Sequence, residues 1–337
     1  MSDLVLVTQP EFAKAEAVFA GQSELRVVAV PDDETSLADA IRAKQCRAVI
    51  VGVVPYSGEL YEALAETGGS RGAVIARFGV GHDGIDKELA RRHGIVVTNT
   101  PGVLDRSVAE QTLWLIGSLA RHVAVCDEEM KSGQWQPRTG MDLSGRTLIV
   151  IGFGAIGRHV AAIAYFGFGM RVIGVGRCTQ EDMEQREGRS IDALQREFGL
   201  ERYTADLASV LPNADVLSIH LPAVEATKNF VNADLLANLR PDCLLVNTAR
   251  GSVLDEDALY DALSSGRLAG AALDVFQQEP YCPQSPTRDL RTLPNILLTP
   301  HIGSNTTGAN EAMARASLAN VAGFLRGRTD DLSRVDR

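Results

Sequence analysis

Five short runs rich in β-branched and aliphatic residues punctuate the first hundred positions, at 4–8, 25–30, 48–53, 73–78 and 95–98. Between them lie stretches in which apolar residues recur at helical spacing, at 11–20, 36–44, 59–66 and 87–92. The short runs suit extended chain, and the intervals suit helices with one apolar face. Strand and helix in alternation predict a parallel sheet covered on both faces, because joining parallel strands requires a crossover.

Asn99-Thr100-Pro101-Gly102 closes this series, since proline and glycine together force a turn. One long helix is predicted from 107 to about 131, with Val108, Leu113, Leu115, Ile116, Leu119, Val123 and Val125 apolar. That face is too wide for a lone surface helix and predicts packing between domains or subunits. A second strand–helix series starts at 147–151 and continues with strands at 171–175, 215–219, 243–246, 269–273 and 296–298. The polar stretch 179–201 reads as a helical surface insertion. A last helix, about 310–325, has no strand of its own and is expected to return to the first domain.

No glycine fingerprint follows the first strand of the first series, so that half is not expected to hold a nucleotide; the first strand of the second series is followed by one. Gly152-x-Gly154-x-x-Gly157 follows the strand at 147–151, and Ala155 and Ile156 open a helix reaching about 165. The first glycine permits a tight turn and the second lets a pyrophosphate approach the backbone. The third lets helix and strand pack closely, and the helix N-terminus attracts phosphate charge. The fold class is therefore α/β, with two doubly wound parallel-sheet domains. One is a Rossmann dinucleotide-binding domain, expected at 104–301 with 105–146 as a connecting segment. The other is a discontinuous flavodoxin-like substrate domain, expected at 1–103 plus 302–330.

The next strand ends in Val175-Gly176-Arg177, where an acid would bond the ribose 2′-hydroxyl of NAD. Glycine leaves room for a 2′-phosphate and arginine can clamp it, so NADP(H) is favoured over NAD(H). The alternative leaves Arg177 solvated, with Glu181 or Asp182 reaching back to the ribose.

Composition narrows the partners. A length of 337 residues suits two domains, and 45% apolar with 23% charged residues excludes extended disorder. The net charge is -10, and no Lys/Arg run exceeds two residues, which argues against a nucleic-acid groove. No apolar run approaches the ~20 residues of a membrane span, and the opening MSDLVLVTQPEF lacks a signal-peptide pattern. Cys46, Cys126, Cys178, Cys243 and Cys282 are odd in number and lack CxxC spacing. They read as reduced thiols of a cytoplasmic protein, with no metal site.

Three polar residues stand at predicted strand ends or just after them: Arg250, Glu279 and His301. Carboxyl ends of strands line the ligand crevice of an open parallel sheet, so the three can converge. Hydride addition to a ketone leaves negative charge on oxygen, and a histidine can supply the proton near neutral pH. A carboxylate favours the imidazolium and fixes its orientation. An arginine forks onto a substrate carboxylate and polarises a carbonyl. Taken singly, each also has a structural explanation: a hydrogen-bonding histidine, a Glu-Pro turn, an arginine capping the helix near Asp255. Asp274 is placed to accept a bond from the nicotinamide amide. His220 lacks a carboxylate partner and is expected near the cofactor, with Pro222, Thr227, Thr248, Ala249 and Gly303 as further cofactor contacts.

From about 48 to 325 these motifs, in this order, resemble those of the D-isomer-specific 2-hydroxyacid dehydrogenases. The likeness includes Gly79-Val80-Gly81-His82-Asp83-Gly84, Asn247-Thr248-Ala249-Arg250-Gly251 and Thr299-Pro300-His301-Ile302-Gly303. The resemblance implies that Arg250, Glu279 and His301 form the catalytic set. It implies that Val80 and Gly81 hold the substrate carboxylate, with Arg250 and His301 completing the substrate contacts. It also implies a homodimer built on 105–146, with Trp135 near the partner's substrate pocket. The implied reaction is D-specific reduction of a small 2-keto acid such as glyoxylate or hydroxypyruvate. The alternatives are a dinucleotide-sensing binding protein of the corepressor kind, a phosphoglycerate dehydrogenase-like enzyme, and a methyltransferase, whose glycine loop also follows a first strand.

Overall fold

The computed structural model describes residues 3–336. Contacts divide the chain into two compact units, Met1–Leu104 with Asn305–Arg337, and Asp105–Ser304.

In the first unit, β1 (Asp3–Thr8), β2 (Leu25–Val30), β3 (Ala48–Val51), β4 (Ala73–Arg77) and β5 (Ile95–Thr98) form one sheet in the order β2-β1-β3-β4-β5. Every pairing is parallel. Strands covered on both faces must be apolar throughout, and β3 is buried at all its positions. The crossovers are α1 (Gln9–Lys14), α2 (Glu16–Ala20), α3 (Glu34–Lys44), α4 (Glu59–Gly68) and α5 (Lys87–Arg92). The single helix expected over 11–20 is two, because the chain turns out of helical geometry at Ala15 (φ -144°). The turn lets Phe12 and Phe19 stack at 5.6 Å.

The second unit contains α6 (Asp105–Ala120), α7 (Val123–Lys131), α8 (Ala155–Phe168), α9 (Gln180–Glu187), α10 (Ile191–Phe198), α11 (Ala233–Ala237) and α12 (Glu256–Ser264). The last helix, α13 (Thr307–Leu325), belongs to the first unit and packs on β4 and β3. The predicted 107–131 helix is broken: His122 adopts left-handed backbone (φ 55°), and the Ala120 carbonyl accepts from the Met141 amide at 2.7 Å. Apolar spacing continues across the break, so periodicity alone could not reveal it.

The second sheet comprises β6 (Thr147–Ile151), β7 (Arg171–Val175), β8 (Leu200–Thr204), β9 (Val216–Ile219), β10 (Leu244–Asn247), β11 (Gly270–Leu273) and β12 (Ile296–Leu298). Its order is β12-β11-β10-β9-β6-β7-β8, all parallel. The chain winds outward from β6 in one direction and from β9 in the other, so a ligand crevice opens between their carboxyl ends. β8 went unpredicted because it is an edge strand with only Leu200 and Tyr203 buried. The 179–201 stretch is thus two helices leading into a strand. Apolar clusters cover both faces of this sheet.

Candidate active site

The glycine loop is built by close approach. Gly152 has φ 94°, and a Cβ there would lie 2.4 Å from the His220 carbonyl oxygen. A Cβ on Gly157 would lie 2.2 Å from the Gly152 oxygen, so only glycine lets α8 press onto β6. Gly154 differs: a Cβ there would meet nothing within 4 Å. It is the N-cap of α8, and no side chain caps the helix. The first amides, including those of Ala155 and Ile156, are therefore left for an anion, in open space. This is the shape and polarity a dinucleotide pyrophosphate requires.

At the adenosine end, the Gly176 position is not vacant. A Cβ there would lie 2.1 Å from the Tyr203 hydroxyl, which donates to the Cys178 carbonyl at 3.3 Å. The expectation that Gly176 leaves room for phosphate is corrected: the unforeseen strand β8 fills that room with Tyr203. Arg177 is exposed, and among the described residues no side chain pairs with it. Asp182 closes a capping box with Thr179 at the start of α9, with the Thr179 hydroxyl donating at 3.0 Å. That bond ties it to the helix it caps.

At the crevice between β6 and β9, the His220 amide donates to the Ile151 carbonyl at 2.7 Å, and its Nε2 meets Ser218 Oγ at 2.8 Å. Burial pushes its imidazole down to about 3, so it is neutral. Thr227 donates to the Pro222 carbonyl at 2.6 Å and so closes the following loop on itself. The hydroxyls of Thr248 and Thr112 meet at 2.8 Å, behind the β10 exit.

Arg250, Glu279 and His301 come from the exits of β10, β11 and β12. Asn247, at the end of β10, accepts from the Ala249 amide at 3.0 Å and donates to the Arg250 carbonyl at 2.9 Å. It folds the turn that presents Arg250, and sequence reasoning missed that role. Gly251 is obligatory: a Cβ would lie 1.8 Å from the Phe276 carbonyl carbon, which brings this turn against the Glu279 loop. His301 Nδ1 and Glu279 Oε2 are 2.7 Å apart, and Glu279 Oε1 accepts from the Phe276 amide at 3.0 Å. Burial pushes the Glu279 carboxyl up, but the His301 bond and charge, the Phe276 amide and the Arg250 charge outweigh it. The carboxyl is held below its ordinary range and stays ionised beside the imidazole. A peptide between Glu279 and Pro280 is cis.

His301 itself sits in left-handed backbone (φ 52°), a conformation a non-glycine residue keeps only where its surroundings impose it. The imposing group is Asp274. Its Oδ1 accepts from Thr299 Oγ1 at 2.5 Å and from the Ile302 amide at 2.9 Å, and its Oδ2 accepts from the Gly303 amide at 2.8 Å. Its backbone carbonyl accepts from the His301 amide at 2.9 Å. Asp274 is only 1% exposed. The expected nicotinamide contact therefore has little carboxylate surface to use, and the observed work of Asp274 is to hold the His301 loop.

Val80 and Gly81 lie in the first unit, just after β4, in a half-buried loop. A separate cavity of about 270 Å³ opens at the amino ends of β10–β12, lined by Leu119, Val125, Leu244, Gly270 and Ile296. It lies at the opposite end of the sheet from the His301–Glu279 pair. Among the described residues no cluster of His, Cys, Asp and Glu could hold a metal, and no helix is long and apolar enough to cross a membrane.

Residues 113–303 match the model of the D-isomer specific 2-hydroxyacid dehydrogenase NAD binding domain. A glyoxylate reductase of Korarchaeum cryptofilum is 36% identical over 293 residues, covering 85% of this chain and 82% of that protein. Glyoxylate/hydroxypyruvate reductase B of Serratia proteamaculans is 34% identical over 303 residues, covering 88% and 86%. Among solved structures, an NADPH-dependent glyoxylate/hydroxypyruvate reductase of Sinorhizobium meliloti, in complex with NADP and malonate, superposes with a TM-score of 0.76. It is 28% identical and covers 96% of this chain and 94% of that one.

Proposed function

This chain belongs to the D-isomer specific 2-hydroxyacid dehydrogenase family, and from that premise we propose that it reduces glyoxylate or hydroxypyruvate with D stereospecificity, preferring NADPH. The observation that carries the chemistry is the 2.7 Å His301–Glu279 pair beside Arg250, at the carboxyl ends of three neighbouring strands of a dinucleotide-binding sheet. The names of the relatives support the substrate class.

Gly152, Gly154, Ala155, Ile156 and Gly157 would hold the pyrophosphate, and Arg177 a 2′-phosphate. His220, Pro222, Thr227, Thr248, Ala249 and Gly303 would line the rest of the dinucleotide. The bound cofactor supplies the hydride. Val80 and Gly81 take the substrate carboxylate through their backbone amides, and Arg250 orients carboxylate and carbonyl. His301 gives its proton to the carbonyl oxygen as charge develops there, and Glu279 stabilises the imidazolium beforehand.

The preference for NADPH rests on Arg177, two residues past β7, exposed and without a side-chain partner among the described residues. A homodimer is supported by the solvent-facing Trp114, Val123, Met130 and Trp135, which are 72%, 54%, 53% and 81% exposed on α6, α7 and the loop beyond. So many large apolar side chains on one segment call for a covering surface. The five unbridged thiols suit a reducing, cytoplasmic setting.

The decisive assay follows loss of nicotinamide absorbance with a panel of 2-keto acids and each reduced cofactor. Turnover of glyoxylate or hydroxypyruvate, faster with NADPH, is expected. No oxidation of either cofactor with any acid would overturn the reading.

A further inference from the structure

We propose that Asn99 is the positioning residue that aims the Val80 and Gly81 amides at the substrate carboxylate, with Asn320 and the Ser333 backbone as its anchor; this rests on the function proposed above. Asn99 follows β5, and its side-chain amide donates to the Val80 carbonyl at 2.9 Å. The neighbouring Thr100 amide donates to the Gly79 carbonyl at 3.1 Å. Two successive carbonyls of the loop are thus drawn to one side, toward Asn99–Thr100. In a planar trans peptide the N–H points opposite to the C=O. The peptide with the Gly79 carbonyl carries the Val80 N–H, and the peptide with the Val80 carbonyl carries the Gly81 N–H. Both N–H groups are therefore turned together to the far side, and nothing among the described residues accepts from either. Convergent backbone donors of this kind make a concave anion site.

Glycine at 79 is part of the device. Its φ is 134°, and a Cβ there would lie 2.7 Å from the Arg77 guanidinium. The side chain of Asn99 could swing away if its backbone were loose, but it is held at both ends. Its amide donates to the Ser333 carbonyl at 3.0 Å, and its carbonyl accepts from Asn320 Nδ2 at 2.9 Å. Asn320 Oδ1 in turn accepts from the Ser333 amide at 3.4 Å. The segment after α13 also pairs with β5 itself, Val335 donating to the Val97 carbonyl at 3.0 Å. Asn99 and Asn320 are both 8% exposed. Helix α13 and the segment after it therefore strap the residue that sets the direction of the carboxylate-binding amides.

Asn99→Asp replaces the donor by an isosteric carboxylate facing the Val80 oxygen, and Asn99→Ala removes it. Calorimetric titration of oxalate into the NADPH-loaded protein should show binding weakened about tenfold in Asn99→Ala and more in Asn99→Asp. Asn320→Ala should weaken it about threefold, in the same direction. In kinetics, KM for glyoxylate should rise with the oxalate Kd, while kcat and KM for NADPH stay within about twofold. Turnover of glycolaldehyde, which has no carboxylate, should not change. Unchanged oxalate affinity in both Asn99 variants would overturn the inference. So would an equal loss toward glyoxylate, glycolaldehyde and NADPH, the mark of general misfolding. A wild type that binds oxalate in this Asn99-dependent way but reduces no keto acid would uphold the inference and overturn the proposed reaction. A wild type that does neither would overturn both.

Discussion

Asp274→Asn separates two accounts of a buried carboxylate. Three donors converge on Asp274: Thr299 Oγ1, the Ile302 amide and the Gly303 amide, at 2.5, 2.9 and 2.8 Å. A hydrogen bond to a charged group contributes roughly 1.5–3 kcal/mol. Asparagine has a single acceptor oxygen. Its best orientation keeps that oxygen toward Thr299 and Ile302 and turns its NH2 against the Gly303 amide. One bond is then lost and two donors oppose each other, a penalty of about 2–4 kcal/mol borne by this loop. The same loop keeps His301 at φ 52°, so the loss is felt as misplacement of the imidazole. If the whole penalty enters the barrier, kcat falls about 30- to 1000-fold. The assay pairs steady-state keto acid reduction with NADPH affinity from nicotinamide fluorescence. A large drop in kcat with NADPH affinity changed less than about threefold is expected. The reverse, with affinity lost in proportion and kcat at saturation preserved, would refute the loop-holding account and make Asp274 a nicotinamide contact.

Four further outcomes follow from the site. His301→Gln should lower kcat by about 10²–10⁴, the range for loss of a positioned proton donor; turnover within a few-fold of wild type would remove His301 from that role. Because Glu279 is held below its usual range, its pairing with His301 is present above that range and disappears only as pH falls through the lowered value. Activity should therefore persist through the ordinary carboxylate range in wild type, and Glu279→Gln should depress kcat without that acid limb; identical acid limbs in the two would contradict it. Arg177→Asp should raise KM for NADPH at least about tenfold and leave NADH nearly unaffected, reflecting loss of a charge-assisted contact; parallel changes with both cofactors would sink the phosphate assignment. His220 has its imidazole pushed from 6.5 to about 3 by burial. The unfolded chain thus takes up a proton that the folded one refuses between those values, and stability falls as pH drops below 6.5. At pH 5 the cost is about 2 kcal/mol, so His220→Gln should flatten the decline in denaturant midpoint between pH 7 and 5; an unchanged slope would show His220 to be solvated.

Much of this molecule is written locally in its chain. Parallel strands buried on both faces must be runs such as Ala48–Val51 or Thr147–Ile151, and helical periodicity separates them, so the first sheet and all of the second but β8 were legible from pattern alone. The glycine loop was legible for the same kind of reason, since close approach at Gly152 and Gly157 admits no other residue. Arg250, Glu279 and His301 could be named because each stands at a strand exit, where the topology of an open sheet must collect them. Where local signals were weak, the reading failed. An edge strand with two buried residues does not announce β8, and a helix that breaks without interrupting its apolar spacing looks continuous through His122.

What only the tertiary structure decided is the work of polar groups whose partners are distant in sequence. Gly176 reads as space for phosphate until β8 places Tyr203 there, 27 residues later. Asp274 reads as a cofactor ligand, and its hold on the Thr299–Gly303 loop appears only once that loop closes on it. Asn99 carries no sequence signal beyond a turn, and its meaning rests on Asn320 and Ser333, more than 200 residues away. Hydrophobic period is a property of neighbours along the chain, so it survives in the sequence. Hydrogen bonding between remote loops is directional and pairwise, so it exists only once the fold has brought both partners within 3 Å.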